Sequence, residues 1–420
     1  MRTESGAEKP FADATGSTAL SVPQQILDAL GGARAAVAIV ALSFPVLAHG
    51  QELDSAPSPS ELVTVQARIP FTAVIVDRNN PKNPCCKALG DINGDGQLDI
   101  SVASQRGGGM YWYEYPGWNK HAIRSTGSWT TDMKARDIDK DGDIDIVVPD
   151  ADGIKWYKNP RPGGNPRTGS LWTAFNIGLA GANNHDVEVG DLNRDGKVDV
   201  VTRRKRGRAT NVWLQNSPTS WRHVIASARA GEGTALGDID HDGDLDIAHN
   251  GFWLENANGA GTSWKEHEIA TNWPLDVGVL IVDVDRNGRR DVVLGPSESS
   301  GRLSWYSTSA PRSGPWTEHV VDRAVSYLHT FKAADMDRDG DLDLVTAEMH
   351  QSADPDQVSI YANNGRGGLW TQQVVATSGS HNLRIGDIDR DGDIDIMGAN
   401  WNDDAPDSAV IRFWRNNLAR

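Results

Sequence analysis

Residues Asp387–Asp395 read DIDRDGDID. The same frame, Asp-x-(Asp/Asn)-x-(Asp/Asn)-Gly-x-x-Asp, occurs six times before it: DINGDGQLD from Asp91, DIDKDGDID from Asp137, DLNRDGKVD from Asp191, DIDHDGDLD from Asp238, DVDRNGRRD from Asp283 and DMDRDGDLD from Asp335. Successive copies start 46, 54, 47, 45, 52 and 52 residues apart. A repeat of that size matches one four-stranded propeller blade, so seven copies predict an all-β, seven-bladed β-propeller. Repetition also explains how 420 residues form one domain, since a propeller grows by blades.

The frame has the chemistry of a calcium loop. Ca²⁺ is a hard cation that takes six to eight oxygens. Side chains at positions one, three and five converge only if the chain curls tightly, and the Gly at position six permits that turn. Position seven can offer its carbonyl, and position nine closes the shell. The expected ligands are Asp91, Asn93, Asp95 and Asp99; Asp137, Asp139, Asp141 and Asp145; Asp191, Asn193, Asp195 and Asp199; Asp238, Asp240, Asp242 and Asp246; Asp283, Asp285, Asn287 and Asp291; Asp335, Asp337, Asp339 and Asp343; Asp387, Asp389, Asp391 and Asp395. An EF-hand continues into a helix. Here position nine leads into LDISV, IDIVV or VDVVT, which reads as a strand. The fifth loop, with Asn287 flanked by Arg289 and Arg290, is expected to bind most weakly.

Around each loop the rest of the repeat is regular. A short strand A precedes the loop and an apolar strand B follows it. An aromatic strand C comes next (MYWYEY, IKWYKN, NVWLQN, GFWLEN, LSWYST, VSIYAN, IRFWRN), then a strand D opening on Trp (WNKHAI, WTAFNI, WRHVIA, WKEHEI, WTEHVV, WTQQVV). Twelve of the 15 Trp residues fall in strands C and D, which assigns them to packing between blades. His121, His223, His267 and His319 share one offset on strand D and read as structural. The propeller spans 67–420. It opens on a lone D-like strand, Phe71 to Asp77, and closes on a C strand, Ala409 to Asn417. The first strand should therefore complete the last blade and leave no free edge. A monomer is expected.

The formal charge is −16, and 29 of the 57 acidic residues sit in the seven loops. Seven Ca²⁺ would nearly cancel it, so the acidity reads as metal ligation, and no basic stripe suits nucleic acid. Residues 1–50 read as a secretory signal region: Arg34, then the apolar run Ala35 to Ala48, then a small-residue cleavage site near Gly50/Gln51. The stretch ahead of Arg34 is long for such a signal and points to a start downstream of Met1. The run is too short to span a bilayer, and no later segment looks transmembrane. Residues 51–66 read as a linker, and the expected location is secreted or periplasmic. The only cysteines, Cys85 and Cys86, exclude a disulfide framework and leave open a vicinal disulfide or two thiols.

The loops resemble the FG-GAP/VCBS repeat family, propellers related to the integrin α-subunit head. Gly-Asp opens the matching motif at Gly90, Gly190, Gly237 and Gly386. Literal FG and GAP strings are missing, so the resemblance is to the VCBS-type branch. It covers about residues 70–420 and implies seven blades with Ca²⁺ in the loops. Family members include adhesins, lectins and sugar-processing enzymes, so the resemblance leaves activity open. Tyr327 to Ser352 (YLHTFKAADMDRDGDLDLVTAEMHQS) resembles one blade of the fungal-type aldos-2-ulose dehydratases.

Alternating strand directions put the calcium loops (A–B turns) on one face and the D–A and B–C turns on the other, where chemistry that does not repeat should gather. Six residues before each loop, strand A reads Cys85, Thr131, His185, Glu232, Val277, His329 and His381. Equivalent positions on a ring point to one axis, so His185, Glu232, His329 and His381 are expected to form a divalent-metal or acid/base centre. Asp132, Arg204, Glu348, His350 and Asn400 are expected to add ligand contacts. Trp129, Trp273 and Trp401, the three Trp outside the repeat, are expected to be exposed for stacking on a sugar. Two functions follow. One is a secreted calcium-binding module for a carbohydrate or related small molecule at the channel mouth. The other is a metal-assisted sugar lyase or dehydratase using the His/Glu centre. A centre that differs from blade to blade favours one asymmetric site.

Overall fold

The computed structural model describes residues 68–79, 81–150, 153–179, 184–204, 209–353, 355–401 and 409–418. The signal region and the linker lie outside them. Every loop is an A–B turn: strand A ends on the residue before position one, and strand B starts at position nine, at Asp99, Asp145, Asp199, Asp246, Asp291, Asp343 and Asp395. Seven antiparallel four-stranded sheets follow. The first contains Cys86–Gly90, Asp99–Ala103, Met110–Glu114 and Asn119–Arg124. Strand B is buried along its length, as in Asp99–Ala103 and Asp343–Ala347. That explains its unbroken apolar run: neighbouring blades cover both faces.

The core is divided among the seams between blades. Ile138, Val147 and Trp156 of the second blade pack with Val187, Val200 and Trp213 of the third. Ile100 and Tyr113 of the first meet Met397 and Phe413 of the seventh. The strand-D histidines face the strand-C Trp directly across the ladder. Ring centroids are 4.6 Å apart for Trp112–His121, 4.2 Å for Trp213–His223, 4.5 Å for Trp253–His267 and 3.9 Å for Trp305–His319. Phe175 takes the same place on Trp156 at 4.7 Å. Such pairs contribute about 0.5–1.5 kcal/mol each beyond their buried area, and they occupy four of the chain's 11 His.

The Gly of the Gly-Asp pair has a packing reason. A Cβ on Gly90 would lie 2.9 Å from Ile144, on Gly190 2.7 Å from Leu245, and on Gly386 3.0 Å from Leu98. In each case the intruder is position eight of the next blade's loop, so a side chain at these three positions would have to displace it.

The ring closes as expected. Phe71–Asp77 pairs antiparallel with Ile411–Asn416, completing the sheet that holds Arg384–Gly386 and Asp395–Gly398. Asp77 then ties this strand to the first blade, accepting hydrogen bonds from Tyr113 Oη and Lys120 Nζ, both at 2.8 Å. Deleting the chain through Asp77 should expose Ile411–Asn416 as an open edge. Size-exclusion chromatography should then show self-association and a melt should lose its sharp transition. A monomer with an unchanged melt would contradict closure by this strand.

Candidate functional site

Two backbone positions shape the acidic loops. Position four is left-handed in all of them (Gly94, Lys140, Arg194, His241, Arg286, Arg338, Arg390), and so is the position-six Gly. This curl aims the position-six N–H at the position-one carboxylate: Gly96, Gly142, Gly196, Gly243, Gly288, Gly340 and Gly392 donate to Oδ2 of their loop's first Asp at 2.8–3.1 Å. Position nine is an internal brace. Its Oδ2 accepts the N–H of loop residue two at 2.8–3.0 Å in all seven copies. In six copies its Oδ1 accepts an N–H from the end of strand C, donated by Tyr115, Asn159, Gln215, Asn256, Asn363 and Asn416. The fifth copy lacks this second bond, and Asp291 Oδ1 is buried without a donor.

The brace extends between blades. Asn159 Nδ2 donates to Ile92 O, Gln215 Nε2 to Ile138 O, Asn256 Nδ2 to Leu192 O, Asn363 Nδ2 to Val284 O and Asn416 Nδ2 to Met336 O, at 2.8–3.2 Å. Each acceptor is position two of the preceding blade's loop. The same residue therefore holds its own loop through its main chain and the previous loop through its side chain.

The loops fall into two groups. In the first, third and fifth, the N–H of residue five also caps position one, with Asp95, Asp195 and Asn287 donating to Oδ1 of Asp91, Asp191 and Asp283 at 3.0–3.1 Å. In the second, fourth, sixth and seventh, Oδ1 of Asp137, Asp238, Asp335 and Asp387 is buried with no donor. These four carry Asp at position seven as well. Buried, undonated carboxylate oxygens among further carboxylates fit a hard cation. Carboxylates of Asp137, Asp139 and Asp145, of Asp238, Asp240 and Asp246, of Asp283, Asp285 and Asp291, and of Asp335, Asp337 and Asp339 lie within 4.8 Å of one another. Arg289 and Arg290, expected to crowd the fifth loop, are exposed. Basic side chains offset part of the charge, as where Arg312 reaches Asp240 and Asp242 at 2.8 and 2.7 Å. Burial, then Asp145 and Asp141, pushes Asp143 up to about 8. At position nine burial outweighs the N–H donors and raises Asp99, Asp145, Asp291, Asp343 and Asp395 to about 7, Asp199 to about 6 and Asp246 to about 8.

On the opposite face, the structure brings His185, Glu232, His329 and His381 together. His185 Nε2 is 3.2 Å from Glu232 Oε2, and His329 Nε2 is 4.0 Å from Glu232 Oε1. His185 Nδ1 lies 3.1 Å from Asp186 Oδ1, so this carboxylate orients the ring and turns Nε2 toward the centre. Ser297 Oγ donates to Glu232 Oε1. Donor atoms of His185, Glu232 and His329 lie within 4.8 Å of one another and all three side chains are buried. His329 stacks on His381 at 4.1 Å, and His381 lies 5.3 Å from Trp401, which stacks on His350 at 4.7 Å. Burial, reinforced by His329, Lys87 and His185, holds His381 well below the usual imidazole range. Two imidazoles and a carboxylate are the donor set of many divalent transition-metal sites.

The remaining expected contacts separate. Trp129 is 4% exposed, and its Nε1 donates to Tyr157 Oη at 3.2 Å. Trp273 Nε1 donates to Tyr306 Oη at 2.8 Å, with Arg302 over its ring. These two Trp do not stand free for stacking: each packs on a strand-C Tyr of the blade that follows. Trp401 alone of the three adjoins the His cluster. Asn400 is fully buried. Its Oδ1 accepts from His350 N and Trp401 N, each at 3.1 Å, and its Nδ2 donates to Asp356 at 2.7 Å; it positions the His350–Trp401 pair instead of meeting a ligand. Glu348 accepts Gln357 N at 2.9 Å, and burial raises its carboxyl. Arg204 is half-buried at the end of its strand B, opposite Asn184. Asp132 lies deeper in the channel, bonded to Arg384 at 2.6 Å and Lys134 at 3.2 Å. Burial acts to raise it, but Lys134, Arg384 and Lys332 outweigh burial and keep it ionised. Cys85 and Cys86 are buried free thiols, 3.0 Å apart at sulfur. Lys87, Ser297 and the Lys134–Glu188–Lys332–Arg384 layer escaped the sequence reading; the column three residues ahead of each loop would have revealed the last group.

Seven blades, each with an acidic A–B loop, around an axis with one irregular polar centre define a repeat β-propeller. The chain belongs to the FG-GAP-like repeat family, which it matches over residues 91–148, 137–202, 283–346 and 335–398, more than half of its length. No curated protein matches it in sequence. Similar solved structures include an Agrocybe aegerita lectin described for specific recognition of non-reducing terminal N-acetylglucosamine (18% identity over 71% of this chain and 81% of that chain, TM-score 0.50). Others are a structure of BBS1N with ARL6DN (13%, 83% and 97%, 0.53) and a chain of the mitotic checkpoint complex (12%, 89% and 99%, 0.55). At these identities the likeness is one of fold. Among the described residues no helix is long and apolar enough to cross a membrane.

Calorimetric titration of the stripped protein with Ca²⁺ should resolve two classes of site, the tighter containing the second, fourth, sixth and seventh loops. Asp335→Asn should remove one tight site and Asp191→Asn one weak site. A single class, or equal losses, would contradict the division. The raised position-nine carboxyls set the sign of a pH effect. Folding favours their protonated forms, so the metal-free protein should lose stability as pH rises from 6 to 8. Saturating Ca²⁺, which binds the ionised forms, should abolish or reverse that slope in melts across this range.

Proposed function

We propose that the protein is an exported, calcium-stapled propeller that binds a carbohydrate or related ligand at the channel mouth opposite the loops, with a divalent ion held by His185, Glu232 and His329 at the centre. The observation that carries this reading is the convergence of those three side chains on one axis, drawn from different blades and not repeated around the ring. The cavity lined by Glu232 and His329 holds about 60 Å³. Water occupies about 30 Å³, so this space suits an ion with its water and is too small for a sugar ring. A ligand would rest above it, with the His350–Trp401 stack as its aromatic neighbour. The Agrocybe aegerita lectin supports the idea that this fold can present a glycan site. The run Ala35 to Ala48 and the acidic loops suit a calcium-rich space outside the cytosol.

A second reading, a sugar lyase or dehydratase, is favoured by His381. Burial keeps its imidazole neutral and able to accept a proton at a ring nitrogen from a carbon next to a carbonyl. Asp186 would hold His185 in orientation, and the buried wall would limit water. A metal in the cluster would supply Lewis-acid polarisation when bound.

Elemental analysis after dialysis against calcium buffer free of other metals should find about one equivalent of a transition metal. The His185→Ala/His329→Ala protein should lose it while keeping its calcium. A glycan array should then give binding that Trp401→Ala abolishes. Calcium alone, with no glycan bound, would overturn the proposal; turnover of a uronic acid or ketoaldose by the metal-loaded protein would select the lyase.

A further inference from the structure

On the calcium-loop side of the His/Glu centre, the channel wall becomes basic. Lys134, Lys332 and Arg384, each three residues ahead of its loop, line both the small upper cavity and a second chamber of about 390 Å³. Arg136 is the fourth cation at that chamber, and no acidic side chain lines it. Most of the local carboxylate is spent elsewhere. Arg384 and Lys134 share Asp132 at 2.6 and 3.2 Å, and Lys134 also holds Glu188 at 2.9 Å. Among the described residues, the side chains of Lys332 and Arg136 make no ion pair and no hydrogen bond. Four cations therefore face two carboxylates inside a chain whose net charge is −16.

We propose that this chamber binds an oxyanion (a carboxylate, sulfate or phosphate group), with Lys332 at its floor and Arg136 at its rim. A cation withdrawn from water without a partner is costly, and an oxyanion between Lys332, Lys134 and Arg384 removes that cost while accepting charge-assisted hydrogen bonds. Burial, then the like charges of Lys134 and Arg384, holds Lys332 down to about 8 against the pull of Glu188 and Asp132, so these two carboxylates do not offset the cost of burying it. The chamber has room for about a dozen waters at 30 Å³ each, so it admits an acidic sugar as well as an inorganic ion. This chamber shares Lys134, Lys332 and Arg384 with the cavity of the His/Glu centre and lies toward the other face.

Titration calorimetry of the calcium-loaded protein at low salt, with sulfate, glucuronate and neutral glucose as probes, tests the proposal. Saturable binding of sulfate or glucuronate that weakens as salt rises, with none for glucose, is expected. Sulfate alone would point to a free inorganic anion, and stronger glucuronate to the acidic end of a glycan. Lys332→Met should weaken binding about tenfold or more, and Arg136→Gln several-fold. Arg136 is exposed, so the second variant keeps its fold even if the first does not. No saturable binding of either anion, or unchanged binding in Arg136→Gln, would overturn the proposal.

Discussion

A buried aspartate at the ninth position of each loop carries the architecture. One carboxylate satisfies the N–H that opens the loop and, in six blades, the N–H that ends strand C. Buried donors without acceptors cost about 1–3 kcal/mol each, so this residue fixes where strand B starts, how the A–B turn curls and where strand C stops. The amide side chains of Asn159, Gln215, Asn256, Asn363 and Asn416 then connect one loop to the next at five of the seven junctions. Acidic loops that look like seven separate decorations are linked parts of the ring.

That rigidity leaves the channel free to vary. Strand A lines the axis and contributes few residues per blade, so substitutions there alter chemistry without touching the seams where Trp and His stack. Two layers of opposite character result. The mouth away from the loops gathers imidazoles around Glu232; the wall nearer the loops gathers Lys134, Lys332 and Arg384. Asp132 and Glu188 stand among these cations and keep them from facing one another unshielded.

The blade count, the strand order, the closing strand and the His185–Glu232–His329–His381 convergence were legible in the sequence because they follow from repetition: equivalent positions on a closed ring must meet at the axis. The structural role of the strand-D histidines followed from their shared offset. What did not repeat was harder to read. Trp129 and Trp273 stood outside the pattern and so resembled ligand platforms, yet a Tyr on the following blade claims the indole N–H of each. Asn400 resembled a ligand contact because its amide sits in a B–C turn, and its backbone partners are visible only in three dimensions. The division of the loops into two groups depends on which N–H reaches position one, and a motif cannot show that.

Whether linked loops hold the ring together is tested most directly by the melting temperature of the purified protein in saturating Ca²⁺ and after exhaustive chelation. Each site occupied at 100 times its Kd adds about 2.7 kcal/mol, so four tight sites add on the order of 11 kcal/mol. One cooperative transition that falls by on the order of 20 °C or more on chelation is expected. A melting curve that does not move would contradict it.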